Sequence, residues 1–176
     1  MSSPLAEKEL QELLTKLLEE PECEFIEFKK SDKSAFGEYL SALSNGACLR
    51  NEDFGYLVFG VNDKNKKIIG TNISEGDLNR ATIKAKLEPK IDYSTHQLYH
   101  KHQKVILVRI ARAQGRPTYH NGQAYARIGE DKTSLKNLTE NQIRRIYNSA
   151  IDWSAEIALQ ASIADLDGRA IKLARK

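Results

Sequence analysis

The sequence predicts an α+β fold: a mixed, mostly antiparallel sheet flanked by three or four helices. Three observations carry that prediction. Tyr56–Val61 and Val105–Ile110 are apolar runs of strand length, fit for the interior of a sheet. Leu10, Leu13, Leu14, Leu17 and Leu18 recur at three- and four-residue spacing, the signature of an amphipathic helix. Asn121-Gly122 separates two strand-like segments and supplies the left-handed residues that a two-residue hairpin turn needs.

In chain order, Ser3 can cap a helix with Pro4 at its first position, where a missing N–H costs nothing. The leucine stripe then predicts a helix over about 5–20, ended by Pro21. Cys23–Lys29 is rich in aromatic and β-branched residues and predicts a strand. Phe36, Leu40, Leu43 and Ala47 predict a helix over about 35–48, followed by a charged loop at Arg50–Gly55. After the Tyr56–Val61 strand, Asn62–Asn65 is a turn, and Lys67–Gly70 starts a return strand. Asp77 opens a helix carrying Leu78, Ile83 and Leu87 that stops near Pro89. Strands follow at about 92–99 and 104–111, then the hairpin joining Thr118–His120 to Gln123–Ile128. Thr139 with Gln142 three residues later forms a capping box for a helix to about Asn148. We expect one domain over 1–150. Residues 151–176, an alanine-rich stretch with a basic end, are expected to be an arm or the start of a following region.

Composition narrows the class. Of the 176 residues 40% are hydrophobic and 29% charged, enough for both a core and a solvated surface. Mean hydropathy is -0.54, and no uncharged run approaches the roughly 20 residues of a membrane span. The N-terminus shows no basic-then-apolar signal segment. Two cysteines, Cys23 and Cys48, cannot make a disulfide framework or a CxxC zinc site, so a cytoplasmic protein with reduced, buried thiols is expected. Charge is divided along the chain: residues 1–30 carry a net −4 and residues 31–176 a net +7. An acidic head on a basic body suits a polyanionic partner, although a basic solvated domain has the same composition.

Several segments follow one known pattern: I-E-F-K at 26–29, a helix ending L-S-N, G-Y-L-V-F-G-V-N-D at 55–63, I-I-G, then Y-A-R-I-G and a final helix near L-T-E-N-Q-I-R-R. Over about 22–148 the chain resembles the Schlafen AlbA-like domain of bacterial and archaeal proteins, described as DNA- or RNA-binding. Longer family members carry RecG-related helicase or transcriptional-regulator names, and the segment from Asp152 resembles their interdomain junction. The resemblance implies a nucleic-acid-binding domain of a larger regulatory or defence-type protein. No G-x-x-x-x-G-K-[ST] loop occurs, so this chain has no ATPase motif. Family members commonly carry a double glycine before the central strand, whereas this chain reads Asn45-Gly46-Ala47-Cys48 and then a charged insertion through Asp53.

The catalytic Schlafen members imply one further chemistry. Their acidic positions correspond here to Glu22, Glu27 and Asp63. Three convergent carboxylates can hold Mg²⁺ or Mn²⁺, which activates water against a scissile phosphate. The alternative function is therefore a metal-dependent endoribonuclease, with Lys29 on the strand face of Glu27 to bind phosphate. Glu22 and Glu27 differ by an odd number, so convergence requires Glu22 to lie in the turn before the strand. Otherwise these are a helix-exit carboxylate, a lysine partner and a turn residue.

The binding reading uses the cations instead: Lys29, Lys30 and Lys33, then Lys64, Lys66 and Lys67, then Arg109, Arg112, Arg116 and Arg127. Lysines offer point charges to phosphate and arginines a two-donor clamp. Tyr119 and Tyr125 flank the hairpin turn and can stack on bases, though cross-strand packing is the commoner role. His96, His100, His102 and His120 lack the partners of a zinc set and are expected in surface loops. A third class is a self-association module, a homodimer through the Leu10–Leu18 helix.

Overall fold

The computed structural model describes residues 7–149, so Ser3, Pro4 and the 151–176 segment lie outside the described residues. The element order is α1 (Glu7–Glu19), β1 (Ile26–Lys29), α2 (Phe36–Arg50), β2 (Phe54–Phe59), α3 (Glu75–Leu78), α4 (Ala81–Lys84), β3 (Leu87–Glu88), β4 (Tyr93–His100), β5 (Gln103–Ala111), β6 (Tyr119–His120), β7 (Gln123–Ile128), β8 (Asp131–Ser134) and α5 (Glu140–Tyr147). The fold is α+β, with the strands divided between two sheets of order β1-β2-β5-β4 and β3-β6-β7-β8. Among the described residues only β1 and β2 pair in parallel, with α2 as the crossover that such a pair requires.

Alternation along the strands sorts the core. Ile26, Phe28, Val58, Val105 and Leu107 pack on one face of the first sheet against Leu10, Leu14 and Leu17 of α1. The leucine stripe is thus spent on the protein's own core: Leu14 is 1% exposed and Leu17 3%. Leu10, Leu14 and Leu17, already removed from water, gain nothing further by association, and the half-buried Leu13 and Leu18 are what the stripe leaves at the surface. Leu57, Phe59, Ile106, Val108 and Ile110 face the other way, against Phe36, Leu40 and Leu43 of α2. Cys48 and Leu49 at the end of α2 meet Ala124 and Ala126 of the second sheet, Leu135 just after β8, and Ile146 of α5.

Helix α2 therefore lies between the two sheets and is buried on every side from Leu40 to Leu49. Its apolar face was legible. Its polar face, Ser41, Ser44 and Asn45, is equally buried and bonds the second sheet and its approach: Ser41 Oγ donates to the Thr118 carbonyl at 2.6 Å and accepts from the Tyr125 N–H at 3.1 Å. Gly46 allows closest approach. A Cβ there would lie 1.8 Å from the Glu24 carbonyl oxygen, a backbone atom that no rotamer change can move. Gly46→Ala is expected to cost at least the upper part of the about 1–3 kcal/mol typical of overpacking. A thermal melt followed by circular dichroism reads the loss, and an unchanged midpoint would contradict the close approach.

Several predicted elements shift. The first strand starts at Ile26, because Cys23 and Ile26 close a tight turn on each other through two backbone hydrogen bonds. The helix predicted from Asp77 is two single turns and a short strand. Ser74 caps Glu75–Leu78 in a capping box with Asp77, Arg80 is extended, and Leu87 leaves the helical path to pair with His120. The return strand at Lys67–Gly70 is reduced to a bridge between Val61 and Ile68. β8 carries only polar residues and gave no periodic signal. The Asn121-Gly122 turn and the Thr139–Gln142 capping box form as their chemistry requires. Among the described residues no helix is long and apolar enough to cross a membrane.

Candidate nucleic-acid interface

The three acidic residues do not form one group: Glu22 and Glu27 share the neighbourhood of Arg127 and Lys29, and Asp63 stands outside it. Glu22 lies in the turn before β1, and its carboxylate accepts the Phe28 N–H at 2.8 Å. Burial pushes its pKa above the usual carboxylate range, against the opposing effects of that hydrogen bond and of Arg127 and Lys29. Glu27 is 2% exposed and is neutralised twice, by the Arg127 guanidinium and by Lys29 Nζ at 2.7 Å. Asp63 is exposed on the loop after β2, where it accepts the Lys64 N–H. Among the described residues no group of three His, Cys, Asp or Glu side chains could hold a metal ion. A divalent cation would have to displace two protein cations from Glu27, so the residues present do not fit Mg²⁺ or Mn²⁺. No hydrolytic step follows from this geometry.

The fold sorts the predicted cations into spent and free. Arg127 is 1% exposed: its Nε donates to the Cys23 carbonyl at 2.9 Å and its Nη2 to the Glu130 carbonyl at 2.7 Å. It is a structural tie between β7 and the approach to β1, which corrects its reading as a phosphate ligand. Lys29 is committed to Glu27 and sits 5.2 Å above the Tyr39 ring. Lys33 pairs with Asp77 at 2.9 Å, and its donated hydrogen bond holds that carboxyl far below the usual range. Arg112 pairs with Asp53 at 3.7 Å, and Arg109 Cζ sits over the Phe54 ring, 3.5 Å from its centroid. Arg116 is exposed but stands apart on the approach to β6. Of the tyrosines, Tyr119 packs against the core around α5. Tyr125 faces the Lys132 ammonium at 5.6 Å.

Five cations without an ion pair lie at one end of the first sheet; among the described residues Lys16, Lys86, Lys90, Arg116, Lys136 and Arg145 also lack one. β1 ends where the Lys30 carbonyl accepts the Gly60 N–H at 2.9 Å, leaving the Lys30 side chain exposed. Gly60 has φ +95°, and the chain turns there into the loop carrying Lys64, Lys66 and Lys67. The Thr71 N–H then bonds the Lys104 carbonyl at 2.9 Å, laying this loop against the start of β5. Lys66 is anchored through Nζ to the Glu20 carbonyl. A solvent-open depression of about 350 Å³ lies between the loop and the β4–β5 turn, lined by Lys66, Lys67, His100, Lys101 and Gln103, with Leu18 and Ile68 as its apolar wall. Lys30, Lys64, Lys67, Lys101 and Lys104 make no ion pair among the described residues.

Sequence reasoning missed the second half of this cluster. Lys101 and His102 form the two-residue loop between β4 and β5, with φ of 46° and 66°. Asn-Gly is the usual occupant of such a turn, and Lys-His carries no turn signal. Two non-glycine residues held in the left-handed region store backbone strain of order 1–3 kcal/mol each, a pattern that concentrates at functional positions. The histidines also differ from expectation: His96 and His100 belong to β4 and His120 to β6, all half-buried.

A helix held between two small sheets, with a basic hairpin tip at one end, defines a compact α+β domain. The sequence matches the Schlafen, AlbA_2 family over residues 19–136, and the chain belongs to that family. Among solved structures it resembles the DIP2311 protein from Corynebacterium diphtheriae, with a TM-score of 0.54 and 17% identity over 96% of this chain. It spans 38% of that protein's length, and at this identity the likeness is one of fold. It is also similar to the N-terminal domain of a RecG-related protein from Nitrosomonas europaea, at 18% identity, with a TM-score of 0.45, over 73% of this chain and 92% of that one. No curated protein matches the chain.

Proposed function

We propose that this chain is a nucleic-acid-binding domain of a larger regulatory or defence-type protein, and that it holds the phosphate backbone at the basic tip. Residues 1–150 form the binding domain in this reading, with 151–176 as an arm or the start of the next region. One observation carries the proposal: Lys30, Lys64, Lys67 and Lys101 gather at one end with no ion pair among the described residues, while Lys29, Lys33, Arg112 and Arg127 are neutralised by the fold. Unpaired ammonium groups around a depression are what a polyanion displaces counterions to reach. Asp63 is the one carboxylate on the loop itself, against three lysines there. The family resemblance points to the same ligand class.

The test is fluorescence anisotropy with labelled oligonucleotides from 50 to 200 mM salt. Wild type is expected to bind at low salt, unaffected by EDTA. The K64E/K67E/K101E variant is expected to bind at least about 100-fold more weakly. Its salt slope should be shallower by about 0.7–0.9 for each phosphate the variant no longer neutralises. All three side chains are exposed, so the variant should keep the wild-type melting curve. Unchanged affinity in a folded variant would place the interface elsewhere.

A further inference from the structure

The tip has two faces, and they differ chemically. By strand alternation His100 and Gln103 continue the face of Leu98 and Val105, which turns toward α1 and lines the basic depression. Tyr99 and Lys104, paired in register, occupy the opposite face. Tyr99 is 59% exposed, the most exposed of the large hydrophobic side chains described. Its ring is tethered at the hydroxyl, which accepts from Gln97 Nε2 at 3.0 Å, and the strand beneath it is fixed by the Tyr99 backbone carbonyl accepting from Gln11 Nε2 at 3.2 Å. Lys104 directly across from it has no ion pair among the described residues.

We infer that the ligand of this tip is single-stranded, with Tyr99 as the platform on which an unpaired base stacks. This rests on the proposed binding of nucleic acid at the tip and adds its strandedness. A held, exposed aromatic ring beside an unpaired lysine is the pairing of stacking surface and phosphate contact that single strands use. The Lys101–His102 turn joins the two faces, so a strand crossing it sets phosphates against the depression and turns a base onto Tyr99. In a duplex the bases are stacked on one another and cannot reach the ring. Aliphatic groups would serve if the tip only excluded water.

The experiment is anisotropy at 50 mM salt with labelled twelve-nucleotide oligo(dT) and oligo(rU) and a twelve-base-pair duplex. Wild type is expected to bind at least one single strand more tightly than the duplex. Y99A should lose about ten-fold on that strand and little on the duplex, and Y99F should restore wild-type affinity because stacking needs no hydroxyl. The two single-stranded probes distinguish DNA from RNA. Equal binding of strand and duplex, unaltered by Y99A but abolished by K64E/K67E/K101E, overturns the single-strand inference and leaves nucleic-acid binding standing. No binding of any probe by the folded wild-type chain overturns both.

Discussion

Replacing Arg127 with methionine is expected to destabilise the domain by about 3–5 kcal/mol, measured by urea denaturation with an unchanged m-value. The size follows from what methionine cannot do. The Arg127 side chain is 0% exposed and that of Glu27 3%, so neither charge reaches solvent. Removing the guanidinium leaves the Glu27 carboxylate with Lys29 alone, takes the Glu130 carbonyl's side-chain donor away, and leaves the Cys23 carbonyl with only the long 3.4 Å bond from the Ile26 N–H. Burial already disfavours the charged guanidinium and pulls its pKa down, so the pair survives through the surrounding geometry rather than from Coulomb attraction in excess. A second variant makes the argument falsifiable. E27Q/R127M removes both charges together, keeps an acceptor for Lys29, and should recover a large part of the loss. Glu140 and Arg144, 88% and 73% exposed at 3.6 Å, supply the control: E140Q should change stability by less than about 0.5 kcal/mol. If R127M costs no more than E140Q, the two sheets are not tied through this pair.

The same contrast separates what the sequence makes visible from what it hides. α1, the β4–β5 pair, the 119–128 hairpin and α5 are coded locally, by a leucine stripe, apolar runs, Asn-Gly and a capping box. Glu27 and Arg127 stand 100 positions apart, and nothing in Q-A-Y-A-R-I marks its arginine as buried; only the approach of β7 to β1 makes it so. The cations at 64–67 were legible as a cluster. Their meeting with Lys101 was not, because a Lys-His pair has no left-handed preference to announce a tight turn. Helix α2 is an intermediate case. Its apolar spacing gave the helix, while the absence of charge from Tyr39 through Leu49 was the available sign that it is enclosed all round.

Asn45 is where that enclosure can be tested most severely. It is 0% exposed and makes three hydrogen bonds to the second sheet and its approach: Nδ2 donates to the Thr118 carbonyl at 3.0 Å and to the Tyr125 carbonyl at 2.7 Å, and Oδ1 accepts the Thr118 N–H at 2.8 Å. Alanine would strand the Thr118 N–H and the Tyr125 carbonyl in the interior; the Thr118 carbonyl keeps Ser41 as a donor. At about 1–3 kcal/mol for each orphaned group, Asn45→Ala is expected to cost about 2–5 kcal/mol. Aspartate is the sharper probe, because it keeps the shape and changes only what is donated. Its carboxylate can still accept from Thr118 N–H but turns a negative oxygen toward two carbonyls. The folded state must then favour the protonated acid, raising the folded pKa above the unfolded one. With more protons bound in the native than in the unfolded state, stability falls as pH rises through that interval. Asn45→Asp should therefore be more stable at pH 5 than at pH 8 relative to wild type, the reverse of a surface carboxylate held by a lysine. Urea melts of the two proteins at both pH values decide it. A variant indistinguishable from wild type at pH 8 would show that Asn45 does not strap the second sheet to α2, and that the placement of Arg127 against Glu27 rests on packing alone.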